Sequence, residues 1–308
     1  MYDNHQKSLM DKILKLKEEK SVYIIAHYYQ RPEVQDIADF VGDSYGMAIA
    51  ATKCELDIVL VAGVDFMAET AAILCPDKTV LSPEPAATCP MADRVNIEDI
   101  IKYKEENPDS MVVSYVNTSA EIKALTDVCC TSSNAVNIIN KIPADKKVIF
   151  LPDMNLTSYV SEHLSRELDT YPSWCPTHNK LKASEIEKLK EEYPDAVVLV
   201  HPECTGEVRQ LADYIGSTAG IIKYAEDSQE KTFIIATEEG ILHTLAKKCP
   251  DKKFILASPE LICPNMKSIT LEKILDSIEN NRTKIEIEES LRIKAHKSLD
   301  EMIKWSSN

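Results

Sequence analysis

The sequence predicts an α/β protein made of three pseudo-threefold-related α/β/α (Rossmann-like) lobes, each with a parallel sheet, arranged around a central cavity. Three observations predict it. Short apolar runs alternate with segments of helical period, the whole pattern recurs about every 87 residues, and no Gly-, Ser- or Pro-rich linker separates the copies.

The elements follow in order. Residues 5 to 20 form a charged amphipathic stretch and are expected as a helix packed on the body. The runs SVYIIA (21–26), LDIVLVAG (56–63), MVVSY (111–115), KVIFLP (147–152), AVVLVH (196–201), TFIIAT (232–237) and KKFILA (252–257) are apolar on both faces and rich in β-branched residues. Runs of this kind are buried parallel strands, because a sheet covered by helices on both sides has no polar face. A second amphipathic helix is expected from about 284 to 305. The expected divisions are therefore an N-terminal helix (1–20), three repeats (21–108, 109–194 and 195–283) and a C-terminal helix (284–308).

The repeat can be followed residue by residue. Polar strand ends fall at His27/Tyr29, Tyr115/Asn117 and His201/Glu203, in steps of 88 and 86 from the first member to the next. Small-hydroxyl turns at Ser44, Ser132 and Thr218 keep the same steps, and Cys89, Cys175 and Cys263 follow at 86 and 88. In open parallel sheets the loops beyond the strand carboxyl ends form the binding crevice. All three sets should therefore face one axis.

Composition narrows the function. The chain has 308 residues, 44% hydrophobic and 28% charged, which is enough to build real cores. A net charge of -15 without a Lys/Arg cluster argues against nucleic-acid binding. No long uncharged apolar run and no signal peptide are present, so the expectation is a cytoplasmic protein with no membrane partner. Seven glycines include neither a GxGxxG nor a GxxxxGK[ST] pattern, which removes the usual nucleotide-binding readings. Nine cysteines, an odd number in a chain expected to stay reduced, suggest a metal rather than disulfides.

Only Cys89, Cys175 and Cys263 occupy all three copies, and each is followed by Pro. Cys75 and Cys249 match each other, but His163 stands in the middle copy. Three thiolates far apart in sequence lack the short spacing of structural zinc sites and suit a [4Fe-4S] cluster with one iron left open. An open iron acts as a Lewis acid on a carboxylate or hydroxyl. His178, three residues after Cys175, is either a partner of that site or a loop histidine facing solvent. His27, Tyr29, Tyr115, His201 and Glu203 supply the acid and base types for proton transfer. Ser44, Ser132 and Thr218 precede helix-like segments, where they could cap the helix or present its N-terminus to an anion. A hydro-lyase on another hydroxy acid would share these features, and a non-catalytic iron-sulfur sensor would share the cysteines alone.

The stretches HYYQRPEVQDIADFVGDS, FMAETAAIL, SYVNTSAEIKA, CTSSNA, HPEC, GSTAGI, ATEEGI and ICPNMKSITLEKIL resemble, in order and across nearly the whole chain, the blocks of the quinolinate synthase family. Around Cys175 the family pattern has Gly two residues before the Cys, where this chain has Ser173. The resemblance implies condensation of iminoaspartate with dihydroxyacetone phosphate to quinolinate, in the making of NAD, with L-aspartate oxidase as the metabolic partner supplying the imine. It further implies that His27, Ser44, Tyr115, Asn117, Ser132, His201 and Thr218 line the substrate site, with Tyr29 and Glu203 moving protons.

Overall fold

The computed structural model of the protein describes residues 2–306. Three four-stranded sheets, every pairing parallel, carry the fold. The first contains β1 (Val22–His27), β2 (Phe40–Gly42), β3 (Ile58–Ala62) and β4 (Thr79–Leu81), in the order β2-β1-β3-β4. The second contains β5 (Met111–Tyr115), β6 (Val128–Cys130), β7 (Val148–Leu151) and β8 (Asp169–Thr170), and the third β9 (Val197–Val200), β10 (Tyr214–Ile215), β11 (Thr232–Ala236) and β12 (Lys253–Leu256). Their orders, β6-β5-β7-β8 and β10-β9-β11-β12, repeat the first.

The seven apolar runs are the two central strands of each sheet together with β12. The five strands that the runs do not reveal, β2, β4, β6, β8 and β10, are all edge strands of two or three residues. A strand that short displays no period of its own, and it becomes a strand only by pairing with a longer neighbour.

Each edge strand next to the first central strand is tied down in the same way. Asp39, Asp127 and Asp213 accept the backbone N–H of Ile24, Val112 and Val198 at 2.8, 2.7 and 2.8 Å. The backbone N–H of each Asp returns a bond to the carbonyl of the same strand residue. A buried amide at the strand start thus gains a charged acceptor, which is stronger than a neutral one.

The terminal helices close the body. Helix Asn4–Glu19 begins with a capping box between Asp3 and Gln6, buries Leu9 and Ile13, and packs on helix Leu271–Asn280. The helix expected from residue 284 begins at Glu289, because Lys284 is engaged in an antiparallel bridge with Leu81. It runs to Ser306, with the last two expected residues outside the described ones, and lies on helix Ala120–Leu125 and β6. No helix among the described residues is long and apolar enough to cross a membrane.

Candidate active site

The carboxyl ends of β1, β5 and β9 point to one axis. His27 and Tyr115 end their strands, and His201 directly follows the third. Two residues on stand Tyr29, Asn117 and Glu203. A shared turn places them: the backbone N–H of Tyr29 donates to His27 Nδ1 at 3.1 Å, and that of Glu203 donates to His201 Nδ1 at 3.3 Å. The twelve residues of the three matched sets line a single cavity of about 160 Å³, together with His178, Asp43, Lys180 and Glu238.

The cysteines arrive on loops that follow the fourth strand of each sheet. Cys175 and Cys263 are N-caps of one-turn helices, Pro176–Asn179 and Pro264–Lys267, with the proline at the first helical position where no N–H is required. Cys89 precedes the turn Ala92–Arg94. None of the cysteines forms a disulfide. Burial pushes the Cys89 thiol up to about 12 and raises Cys175 and Cys263 as well. Thiolates would therefore form here only against a compensating cation. Three soft donors on one cavity, from three separate loops, fit a cluster that leaves one iron without a cysteine.

His178 is buried, which decides between its two sequence readings. Its Nδ1 lies 3.2 Å from Cys175 Sγ and 2.9 Å from Glu203 Oε2, and its Nε2 lies 2.8 Å from Thr237 Oγ1. Cys175, His178 and Glu203 have donor atoms within 4.8 Å of one another. Within this trio His178 and Glu203 already bond to each other.

The hydroxyl turns divide their tasks differently from the N-cap expectation. Asp43 and Ser217 cap helices Ser44–Lys53 and Thr218–Asp227 by accepting from Gly46 and Gly220 at 2.9 and 3.1 Å. Ser44 and Thr218 are the first helical residues and face the cavity. In the middle lobe the N-cap is Asn134, and the hydroxyl of Ser132 bonds to Tyr115. In the first and third lobes the cap one residue earlier leaves Ser44 and Thr218 without a capping task.

Electrostatics separate the groups into donors and acceptors. Burial opposes ionisation of Glu203, but the neighbouring His201 and His178 and the bonds from His178 and Tyr115 outweigh it. Its carboxyl is held well below the usual range. Burial lowers His27 and His201 to about 3, so both imidazoles are neutral at neutral pH. Glu203 also accepts the Tyr115 O–H at 2.7 Å, and its other oxygen lies 2.9 Å from His178 Nδ1. Burial and the Glu203 charge raise Tyr29 and Tyr115 well above the ordinary phenol value. Asn117 Oδ1 is buried with no partner, an acceptor left for a donor that the protein does not supply.

Thr237 was missed by the sequence reading. It sits 2.7 Å from Tyr29 Oη and joins that phenol to His178, while Thr218 holds the same oxygen at 2.9 Å. The signal was present, because Thr237 directly follows the central strand β11 at the carboxyl end. Gly240 was also missed. A Cβ there would meet the Tyr29 backbone at 2.7 Å, so only glycine lets the two loops approach.

A threefold assembly of parallel α/β lobes that brings three thiols, imidazoles, phenols and carboxyl groups to one cavity defines a class of α/β proteins with a shared acid–base site. The family model described as NadA, quinolinate synthetase A protein, matches residues 11–304. The chain is 48% identical over 298 residues to a quinolinate synthase of Methanosarcina barkeri, covering 97% of this chain and 98% of that one. It is 46% identical over 300 residues to a quinolinate synthase of Alkaliphilus metalliredigens, covering 97% and 99%. A quinolinate synthase of Clostridium perfringens is 48% identical over 297 residues, covering 96% and 98%. The chain belongs to the quinolinate synthetase A family.

Proposed function

We propose that this protein is a cytoplasmic quinolinate synthase, joining iminoaspartate to dihydroxyacetone phosphate to give quinolinate, phosphate and two waters. A [4Fe-4S] cluster on Cys89, Cys175 and Cys263 would serve it. One observation carries the reading: a cysteine from each lobe borders the same cavity as Glu203, Tyr29, His27 and His201. When bound, such a cluster supplies a Lewis-acidic iron that polarises a substrate oxygen or nitrogen.

The protein's own groups do the rest. Glu203, held as an anion, accepts a proton, and Tyr29, held as a phenol between two threonine hydroxyls, donates one. A dehydration needs an acid and a base together, and one cavity brings Tyr29 and Glu203 to the same site. Ser44 and Thr218, with the N-termini of their helices, and Lys180 at the cavity offer donors to carboxylates and phosphate. Asn117 Oδ1 accepts from a substrate hydroxyl or imine N–H. Exclusion of water on binding would protect the imine, which otherwise hydrolyses. An L-aspartate oxidase would supply that imine.

The test is anaerobic turnover with both substrates, reading quinolinate by chromatography. Glu203→Gln should lower kcat by about 10²–10⁴-fold with iron content unchanged. Cys89→Ser, Cys175→Ser and Cys263→Ser should each lose the chromophore near roughly 400 nm, and Cys54→Ser should not. Wild-type product that is not quinolinate would refute the assignment.

A further inference from the structure

Each central strand on the far side of a sheet, β3, β7 and β11, ends beside a carboxylate: Asp65, Asp153 and Glu238. These three reach across to the cysteine loops. Asp153 Oδ2 accepts the backbone N–H of Cys175 at 3.0 Å, and Glu238 Oε1 accepts that of Cys263 at 3.0 Å. Asp65 faces the N–H of Cys89 and takes that of Phe66 at 2.8 Å, while its own N–H ties it to Ala87 in the same loop at 2.9 Å. None of the three was singled out by the repeat, because their steps of 88 and 85 break the 88-and-86 register by one residue.

The geometry has a local cause. A residue at an N-cap ahead of proline has an N–H with no helical partner, and burial would leave it unmet. In two of the three loops that residue is the cysteine itself. The second oxygen of each carboxylate anchors it to its own lobe: Asp153 Oδ1 accepts Leu156 N–H at 2.7 Å, and Glu238 Oε2 accepts Gly240 N–H at 2.7 Å. Lys267 adds a 2.9 Å ion pair to Glu238.

We infer that Asp65, Asp153 and Glu238 are positioning residues that clamp the three cysteine loops to the sheet ends, aiming the sulfur atoms before any cluster binds. This rests on the reading of the cysteines as cluster ligands. Groups that orient metal ligands from behind are worth about 10–100-fold in metal affinity. The molecule contains its own control, since Asp39, Asp127 and Asp213 make the same carboxylate-to-amide bond at the opposite ends of the sheets, away from the cysteines.

Asp153→Asn is the sharp variant. It keeps an oxygen for the Leu156 cap and sets an amide donor against the Cys175 N–H. Glu238→Gln repeats the test in the third lobe should the first fail to fold, and Asp127→Asn is the control. In the metal-free chain, amide hydrogen exchange across residues 173–178 should quicken at least about tenfold in Asp153→Asn and stay at the wild-type rate in Asp127→Asn. In the reconstituted protein, chelator should strip iron about tenfold faster from Asp153→Asn and Glu238→Gln than from wild type or Asp127→Asn. Wild-type exchange in Asp153→Asn, or iron loss within twofold of wild type in the two site variants, overturns the inference. If wild type and Asp127→Asn take up no chromophore at all, the cluster reading fails instead, and the exchange experiment alone decides the clamp.

Discussion

The junction between the first two lobes and the junction each makes with the third are built from different material. The first and second lobes share one apolar core, which also takes in Ala295, Leu299 and Met302 of the terminal helix and Ile269, Ile274 and Ile278 from the end of the third repeat. The third lobe's sheet has a separate core on each face, into which Leu181 and Ile186 from the end of the second repeat and Tyr28 of the first also pack. Hydrogen bonds also join this lobe to the other two. Gln35 Nε2 donates to Gly240 O at 2.9 Å and its Oε1 accepts from Thr244 at 2.8 Å, while Asp36 takes His243 and Lys247 at 2.7 and 2.8 Å. On the other side buried Arg209 donates to Asn155 O at 3.1 Å and to Ser158 and Glu162 at 3.0 and 3.1 Å.

The difference teaches where stability and chemistry are placed. Separating an apolar junction exposes area to water, whereas a polar junction exchanges its bonds for bonds to water at small net cost. The cavity groups sit on the polar junctions: Tyr115 and His178 of the second lobe bond Glu203 of the third, and Tyr29 of the first bonds Thr218 and Thr237 of the third.

Three experiments would break or sharpen the contrast. The largest effect belongs to the cores. Phe150→Ala, in the shared core, should cost about 3–5 kcal/mol in a denaturant titration and loosen both first and second lobes. Phe233→Ala should cost a similar amount, but hydrogen exchange should rise in the third lobe alone. Equal spread of the two effects over all three lobes would erase the distinction.

Arg209→Met comes next. It leaves the carbonyls of Asn155 and Cys204 without their donor and should cost about 1.5–3 kcal/mol, measured by the same titration. The smallest effect is at Asp36. Burial raises it, but Lys247, Tyr2 and His243 outweigh that and hold it at about 2, below its ordinary 3.8. Its folded value is depressed, so its stabilisation is full above about 4 and disappears as pH falls through about 2. Asp36→Asn should flatten that part of the acid unfolding curve, by at most about 1 kcal/mol for so exposed a group. An unchanged curve would remove Asp36 from the junction.

The repeat made much of this legible in advance. The central strands were readable because a strand buried on both faces is apolar throughout, as in Phe233–Ala236. The cavity lining was readable because residues at equivalent strand ends must converge when three copies close on an axis. Other features were not. The edge strand Asp169–Thr170 carries no pattern, and Thr237 is an ordinary residue until Tyr29 and His178 arrive on either side of it. Nothing near His178 in the chain says whether it is buried.

The sequence by itself determined the threefold plan, the central strands and the identity of the groups that meet, since periodicity and spacing are properties of one chain read in order. Only the tertiary structure decided what each group touches across the lobes, and hence its charge. Glu203 is held low because His201, His178 and Tyr115 surround it, and His27 and His201 are pushed down because they are buried. Hydrogen bonding and desolvation depend on neighbours distant in sequence, and those neighbours exist only once the lobes have closed.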